Sequence, residues 1–306
     1  MKIGSLFSGY GGLDMAIEGD LVWYSEIEPA ACKVMAANHP GVPNLGDITK
    51  IDWDTVPPVD ILTGGYPCQP FSMAGLRKGT NDERHLWPFV RDAIRTIRPQ
   101  FALLENVRGH LTLGFDVVLA DLAELGIFAR WGVVRAADAG APHNRARIFI
   151  LVADSDSSSK QAFNDGPSGT GDFGRSQPME CDREIASDSG GERYGIGEVS
   201  GMVGGLDRKN RGSREESGTG SVINWGEYEA AIRRWESIIE RPPPAPTVRR
   251  NDRDRLNPVF VEWMMGLPEG WVTGHGLSPA QELKMLGNGV VPQQAQLALK
   301  VLSGAI

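Results

Sequence analysis

The chain has 306 residues, 41% of them apolar and 23% charged, which suits one large folded domain or two modest ones; aromatic residues at 8% exclude wholesale disorder. No apolar run reaches the roughly 18 residues of a membrane-spanning helix, Met1–Phe7 meets glycine too early for a secretory signal, and Cys32, Cys68 and Cys181 lack the paired spacing of a disulfide framework or a zinc site, so a cytoplasmic protein without metal is expected. The formal charge of −8 argues against a nucleic-acid partner at first sight, but residues 200–255 carry 11 basic against 9 acidic residues, nearly all the basic ones Arg, and a local Arg-rich segment on an acidic body remains compatible with DNA.

In chain order, short apolar runs alternate with helical patterning, the arrangement of a parallel sheet wound with helices on both faces, and the fold class is α/β. Strands are predicted at 2–6, 21–25, 59–64, 101–106, 128–136 and 147–152, with helices at about 11–18, 28–38, 86–97 and 115–125. Beyond Ala153 the texture changes. In 155–220, 14 Gly and 11 Ser fill 25 of 66 positions, which marks a domain boundary and predicts partial disorder. An amphipathic helix returns at 226–240, with its apolar stripe at Ala231, Ile232, Trp235, Ile238 and Ile239, followed by helices near 257–265, 279–285 and 290–302. The last is apolar enough to dock on the first domain, so the domains interleave: 1–154 plus 278–306, and 155–277.

After the first strand, Phe7-Ser8-Gly9-Tyr10-Gly11-Gly12 is a glycine-rich turn of the kind that lets backbone amides approach a nucleotide-like ligand, although a tight strand-to-helix turn reads equally well. It lacks the third glycine of the dinucleotide fingerprint. Glu26, near the end of the second strand, could accept a ribose diol. Gly64-Gly65-Tyr66-Pro67-Cys68-Gln69-Pro70-Phe71-Ser72 follows an apolar strand, at the sheet edge where reactive groups of α/β proteins gather, and places Cys68 where a nucleophile would be useful. A small buried thiol is the ordinary alternative, and the neighbours of Cys32 assign that fate to it. Glu105 in Glu105-Asn106-Val107 puts a carboxylate at the same edge, able to hold a proton if burial raises its pKa. Arg145 and Arg147, two apart, share a strand face and can point at one site.

Together these motifs and Gly287-Asn288-Gly289-Val290-Val291-Pro292 resemble the cytosine-5 DNA methyltransferase family. The resemblance spans most of 1–154 and about 253–306, and 155–250 falls where that family carries its variable target-recognition region. It implies a Rossmann-like, S-adenosylmethionine-dependent domain with a smaller, irregular target-recognition domain, Cys68 as the nucleophile preceded by Pro67, and Glu105 and Arg147 at cytosine N3 and O2. It further implies a cofactor pocket of Phe7, Gly9, Gly11, Gly12, Glu26, Ile27, Asp47, Asn288 and Val290, and DNA contacts from Gln69, Ser72, Arg77, Lys78, Arg84 and Arg145, with 72–85 closing over a flipped base. Ile27 departs from the family, many of whose members have an aromatic residue there to stack on adenine. Double-stranded DNA is the implied partner and a monomer suffices, in a bacterial or phage-infected cell; a tRNA methyltransferase and a non-catalytic DNA-binding module are the alternatives.

Overall fold

The computed structural model describes residues 1–67, 86–154 and 223–304. Six strands, β1 (Lys2–Leu6), β2 (Asp20–Ser25), β3 (Ile61–Gly65), β4 (Phe101–Val107), β5 (Ile127–Arg135) and β6 (Ala146–Asp154), form one sheet in the order β2-β1-β3-β4-β6-β5. Each falls on a predicted run. β1 pairs in parallel with β2 and β3, and β3 with β4, but β6 runs antiparallel to both β4 and β5. The wholly parallel sheet expected from the alternation is therefore a mixed one. Its cause is the short link 136–145 between β5 and β6, which has no room for the helical crossover that a parallel pair needs.

The helices are α1 (Pro29–Asn38), α2 (Trp87–Ile97), α3 (Phe115–Glu124), α4 (Glu229–Ile239), α5 (Pro258–Met264), α6 (Pro279–Asn288) and α7 (Pro292–Ser303). In place of the helix expected at 11–18 there is one 3-10 turn, Asp14–Ala16, after which Ile17 is already extended. Two glycines open this stretch, and Asp14 turns its side chain down into the sheet, where Ser5 and Thr63 hold it. Five of the seven helices among the described residues have proline in the first turn, where the missing N–H has no helical partner to lose.

Helices α2 and α3 cover one face of the sheet with Trp87, Val90, Ile94, Val118 and Leu122. On the other, α7 lays Ala295, Ala298 and Leu302 over Leu103, Val134, Phe149 and Leu151, so the last helix docks as predicted. A third apolar cluster joins Tyr10 and the α1 residues Ala30, Ala31 and Val34 to Trp235 of α4, Phe260 and Trp263 of α5 and Leu286 of α6. Trp225, Phe260 and Trp263 stack in series within it. The described part of the expected second domain thus shares one core cluster with the first.

Candidate active site

The site gathers where β1, β3 and β4 end. Parallel register sets Gly65 of β3 beside Glu105 of β4, so the chain leaving β3 toward Pro67 passes the Glu105 carboxylate. Antiparallel register sets Phe149 opposite Glu105 and Arg147 opposite Val107, which makes Glu105 and Arg147 diagonal neighbours on one face. Arg147 Nε lies 2.9 Å from Glu105 Oε1, and each residue is only 7% exposed. Burial raises the pKa of Glu105, and the nearby charges of Arg147 and Arg145 oppose that rise without cancelling it.

Arg145 departs from the sequence expectation. It precedes β6, is buried, and donates through its two terminal nitrogens to the carbonyls of Gly287 and Gly289 at 2.8 and 2.6 Å. The guanidinium expected at DNA instead ties the C-terminal glycine turn to the sheet. His143, two residues earlier, meets Met264 O at 3.2 Å and has its pKa pushed down to about 4 by burial and then by the charge of Arg145.

The exit of β3 is held at two points. Asn106 Nδ2 donates to Tyr66 O at 2.9 Å, and the Tyr66 hydroxyl meets His110 Nε2 at 3.0 Å. His110 Nδ1 lies 2.9 Å from the carbonyl of Leu113, so Nδ1 carries the proton and Nε2 accepts from Tyr66. Burial lowers the pKa of His110, in keeping with a neutral ring. The apolar run of β3 and the Glu-Asn-Val motif gave no direct sign of this pairing.

The glycine-rich turn is locked to the C-terminal turn. Tyr10 is buried and its hydroxyl donates to Val290 O at 2.7 Å, while its carbonyl accepts from Trp271 Nε1 at 2.7 Å. A side chain on Gly12 would strike Val290 O and one on Gly289 would strike the Tyr10 ring. Phe7 and Gly9 have φ of 52° and 56°, and a side chain built on Gly9 would meet nothing within 4 Å, so the backbone there faces open space. Gly11 also has positive φ. Below the turn, buried Asp14 accepts from Ser5 Oγ at 2.8 Å and from Thr63 Oγ1, and burial lifts its pKa to about 6. Asp14 was not singled out in the sequence, although Ser5 and Thr63, polar residues within buried strands, mark it.

Beside Gly9, the Glu26 carboxylate accepts from the amides of Gly9, Ile27 and Glu28, each at 2.8 Å. Ile27 is 68% exposed. Asn44 and Gly46 tie the next turn to β2: Asn44 Oδ1 accepts from Glu26 N, and Ser25 Oγ donates to Gly46 O at 2.7 Å. That brings Asp47 to the same edge, where bonds from Thr49 lower its pKa. Val290 is buried and Asn288, ending α6, is exposed. Cys32 is half-buried with its thiol donating to Glu26 O at 3.3 Å. Cys68, Gln69, Ser72, Arg77, Lys78, Arg84 and Cys181 lie outside the described residues; Pro67 is the last described residue before them and is exposed. Among the described residues no group of three or more His, Cys, Asp or Glu is arranged to hold a metal ion, and no helix is long and apolar enough to cross a membrane.

Residues 1–303 match the C-5 cytosine-specific DNA methylases. The chain belongs to that family. The Type II methyltransferase M.DsaV of Dactylococcopsis salina is 31% identical over 325 aligned positions, covering 99% of this chain and 86% of that one. M.NlaX of Neisseria lactamica is 41% identical over 162 residues, 49% of this chain and 51% of that protein, so the match spans about half the length of that relative. The crystal structure of the S. pombe Dnmt2 methyltransferase superposes with a TM-score of 0.61 over 99% of this chain and 98% of that one at 18% identity, which establishes the shared Rossmann-like fold.

Proposed function

We propose that the protein transfers a methyl group from S-adenosylmethionine to C5 of a cytosine in a specific duplex DNA sequence, as the Type II methyltransferase relatives suggest. The observation that carries this reading is the buried Glu105–Arg147 pair beside the β3 exit into Pro67-Cys68. The residues at the glycine-rich turn fit the cofactor. Gly9 leaves room for close approach, Glu26 is pre-oriented by three amides with one acceptor site remaining on Oε2 for a ribose hydroxyl, and Ile27 offers an exposed apolar surface for a purine. Phe7, Gly11, Gly12, Asp47, Asn288 and Val290 complete that candidate pocket. S-adenosylmethionine, when bound, supplies an electrophilic methyl group.

Cytosine C5 is a weak nucleophile. The Cys68 thiolate adds at C6, forming the S–C bond and sending the π electrons toward C5, so that covalent catalysis divides a hard step. Glu105, whose pKa burial raises, hydrogen-bonds to N3 and shares a proton with it as the thiolate adds, and Arg147 polarises O2; both stabilise the charge that develops on the ring. After methylation, loss of the C5 proton to a base and expulsion of the thiolate restore the ring. The target base is stacked in a duplex and must be flipped to reach Cys68. Residues 155–277, with 72–85 and Gln69, Ser72, Arg77, Lys78 and Arg84, are assigned to DNA engagement, and 1–154 with 278–306 to catalysis. Labelled methyl transfer to duplex DNA and to tRNA, measured side by side, tests the substrate class: transfer to the duplex is expected, and transfer confined to tRNA contradicts it.

A further inference from the structure

β7 (Thr247–Arg250) and β8 (Arg253–Leu256) form an antiparallel ribbon separate from the main sheet. Its turn residues Asn251 and Asp252 both have positive φ, 50° and 57°, as a two-residue hairpin turn of right-handed twist requires. The register pairs Thr247 with Leu256, Val248 with Arg255, Arg249 with Asp254 and Arg250 with Arg253. Opposed residues share a face and faces alternate along each strand. One face therefore carries Arg250, Arg253 and Arg255 without a carboxylate. The other opposes Arg249 to Asp254, and Arg249 also lies 3.8 Å from Asp252.

Arg250, Arg253 and Arg255 are all exposed, and among the described residues none makes an ion pair, although the charge of Arg250 reaches the buried Glu282 of α6. Like charges directly opposed across two strands destabilise a ribbon, and an anion lying against that face relieves the opposition of Arg250 to Arg253. The base of the ribbon is fixed. Asn257, which caps α5, donates from its backbone to Pro246 O at 3.0 Å and from its side chain to Ala245 O at 2.7 Å. An exposed tip on a fixed base presents guanidiniums in a shape that the major groove of DNA admits, and Arg matches phosphate oxygens in paired hydrogen bonds.

We propose that the Arg250–Arg253–Arg255 face of this ribbon grips the phosphate backbone of duplex DNA, an inference that rests on the duplex-DNA reading above. The test measures duplex binding by fluorescence anisotropy across a salt series, with methyl transfer assayed separately. The Arg250→Ala/Arg253→Ala protein should lose about 2 from the slope of log affinity against log salt and bind on the order of tenfold more weakly at low salt. Arg250→Lys/Arg253→Lys keeps the charges and should keep the slope, and Arg249→Ala, on the opposite face, should leave the slope nearer to wild type than Arg250→Ala alone does; thermal unfolding checks that each variant folds. An alanine pair with wild-type slope and affinity overturns the proposal while active wild type leaves the methyltransferase reading standing. Wild type that binds duplex with the expected loss in the alanine pair, yet transfers no methyl, supports the ribbon and contradicts that reading; wild type that binds no duplex overturns both.

Discussion

Asn106 Nδ2 donates to the carbonyl oxygen of Tyr66 across 2.9 Å, and Tyr66 is two residues from Cys68. The same Asn106 side chain accepts from Val107 N at 2.8 Å, so one amide fixes both the β4 end and the β3 exit. Removing it leaves a buried carbonyl without this donor, at about 1–3 kcal/mol. Asn106→Ala is predicted to lower kcat with the cofactor Kd unchanged, measured by single-turnover transfer and calorimetry. Tyr66→Phe, which removes the hydroxyl that meets His110 and leaves the Tyr66 carbonyl bonded to Asn106, should show a smaller loss in the same assay.

Glu105 and Arg147 form a buried pair, and truncating one partner strands the other. Arg147→Ala should cost about 3–5 kcal/mol of stability by denaturant unfolding. Glu105→Gln keeps the volume and the hydrogen-bond acceptor but cannot deliver a carboxyl proton, so transfer should fall by about 10²-fold or more while DNA binding persists.

The Asp14 carboxyl keeps its proton up to about pH 6 in the folded chain, whereas its ordinary value is 3.8. The folded state therefore binds more protons between those values, and stability falls as pH rises through that window. A shift of this size corresponds to roughly 3 kcal/mol. Asp14→Asn should remove that part of the dependence, so the difference in unfolding free energy between variant and wild type should change by about this amount from about pH 4 to about pH 7.

Ile27 stands exposed beside Glu26, where an aromatic ring would add stacking to apolar contact. Ile27→Phe is predicted to tighten S-adenosylmethionine binding several-fold, consistent with about 0.5–1.5 kcal/mol for an aromatic pair. Glu26→Ala should weaken it. Isothermal calorimetry on the three proteins reads both effects.

Strand positions were legible because buried strands of this sheet are apolar runs closed by Gly, Pro or acidic residues, as in Ile61–Gly65 and Phe101–Val107. Their direction was not. Both faces of β6 are buried, so Ala146–Asp154 looks the same whether it runs parallel or antiparallel, and only the shortness of 136–145 decides. The site motifs could be proposed because Gly, Cys and Glu recur at successive strand ends, although each alone also suits a turn, a core thiol or a cap. Arg145 was misread since a spacing of two says which way side chains alternate, not whether a carbonyl such as Gly287 O waits for one of them. The partners that Tyr10 and His110 meet through Val290 and Tyr66 come from distant parts of the chain, and no local pattern encodes them.

The central claim is that Cys68 attacks cytosine, and the most direct measurement is labelled methyl transfer from S-adenosylmethionine to plasmid DNA by wild type and Cys68→Ala, followed by bisulfite sequencing. Wild type should leave 5-methylcytosine at one short motif and the variant none, while the variant still binds DNA. Equal transfer by both proteins, or none to DNA by either, would contradict it.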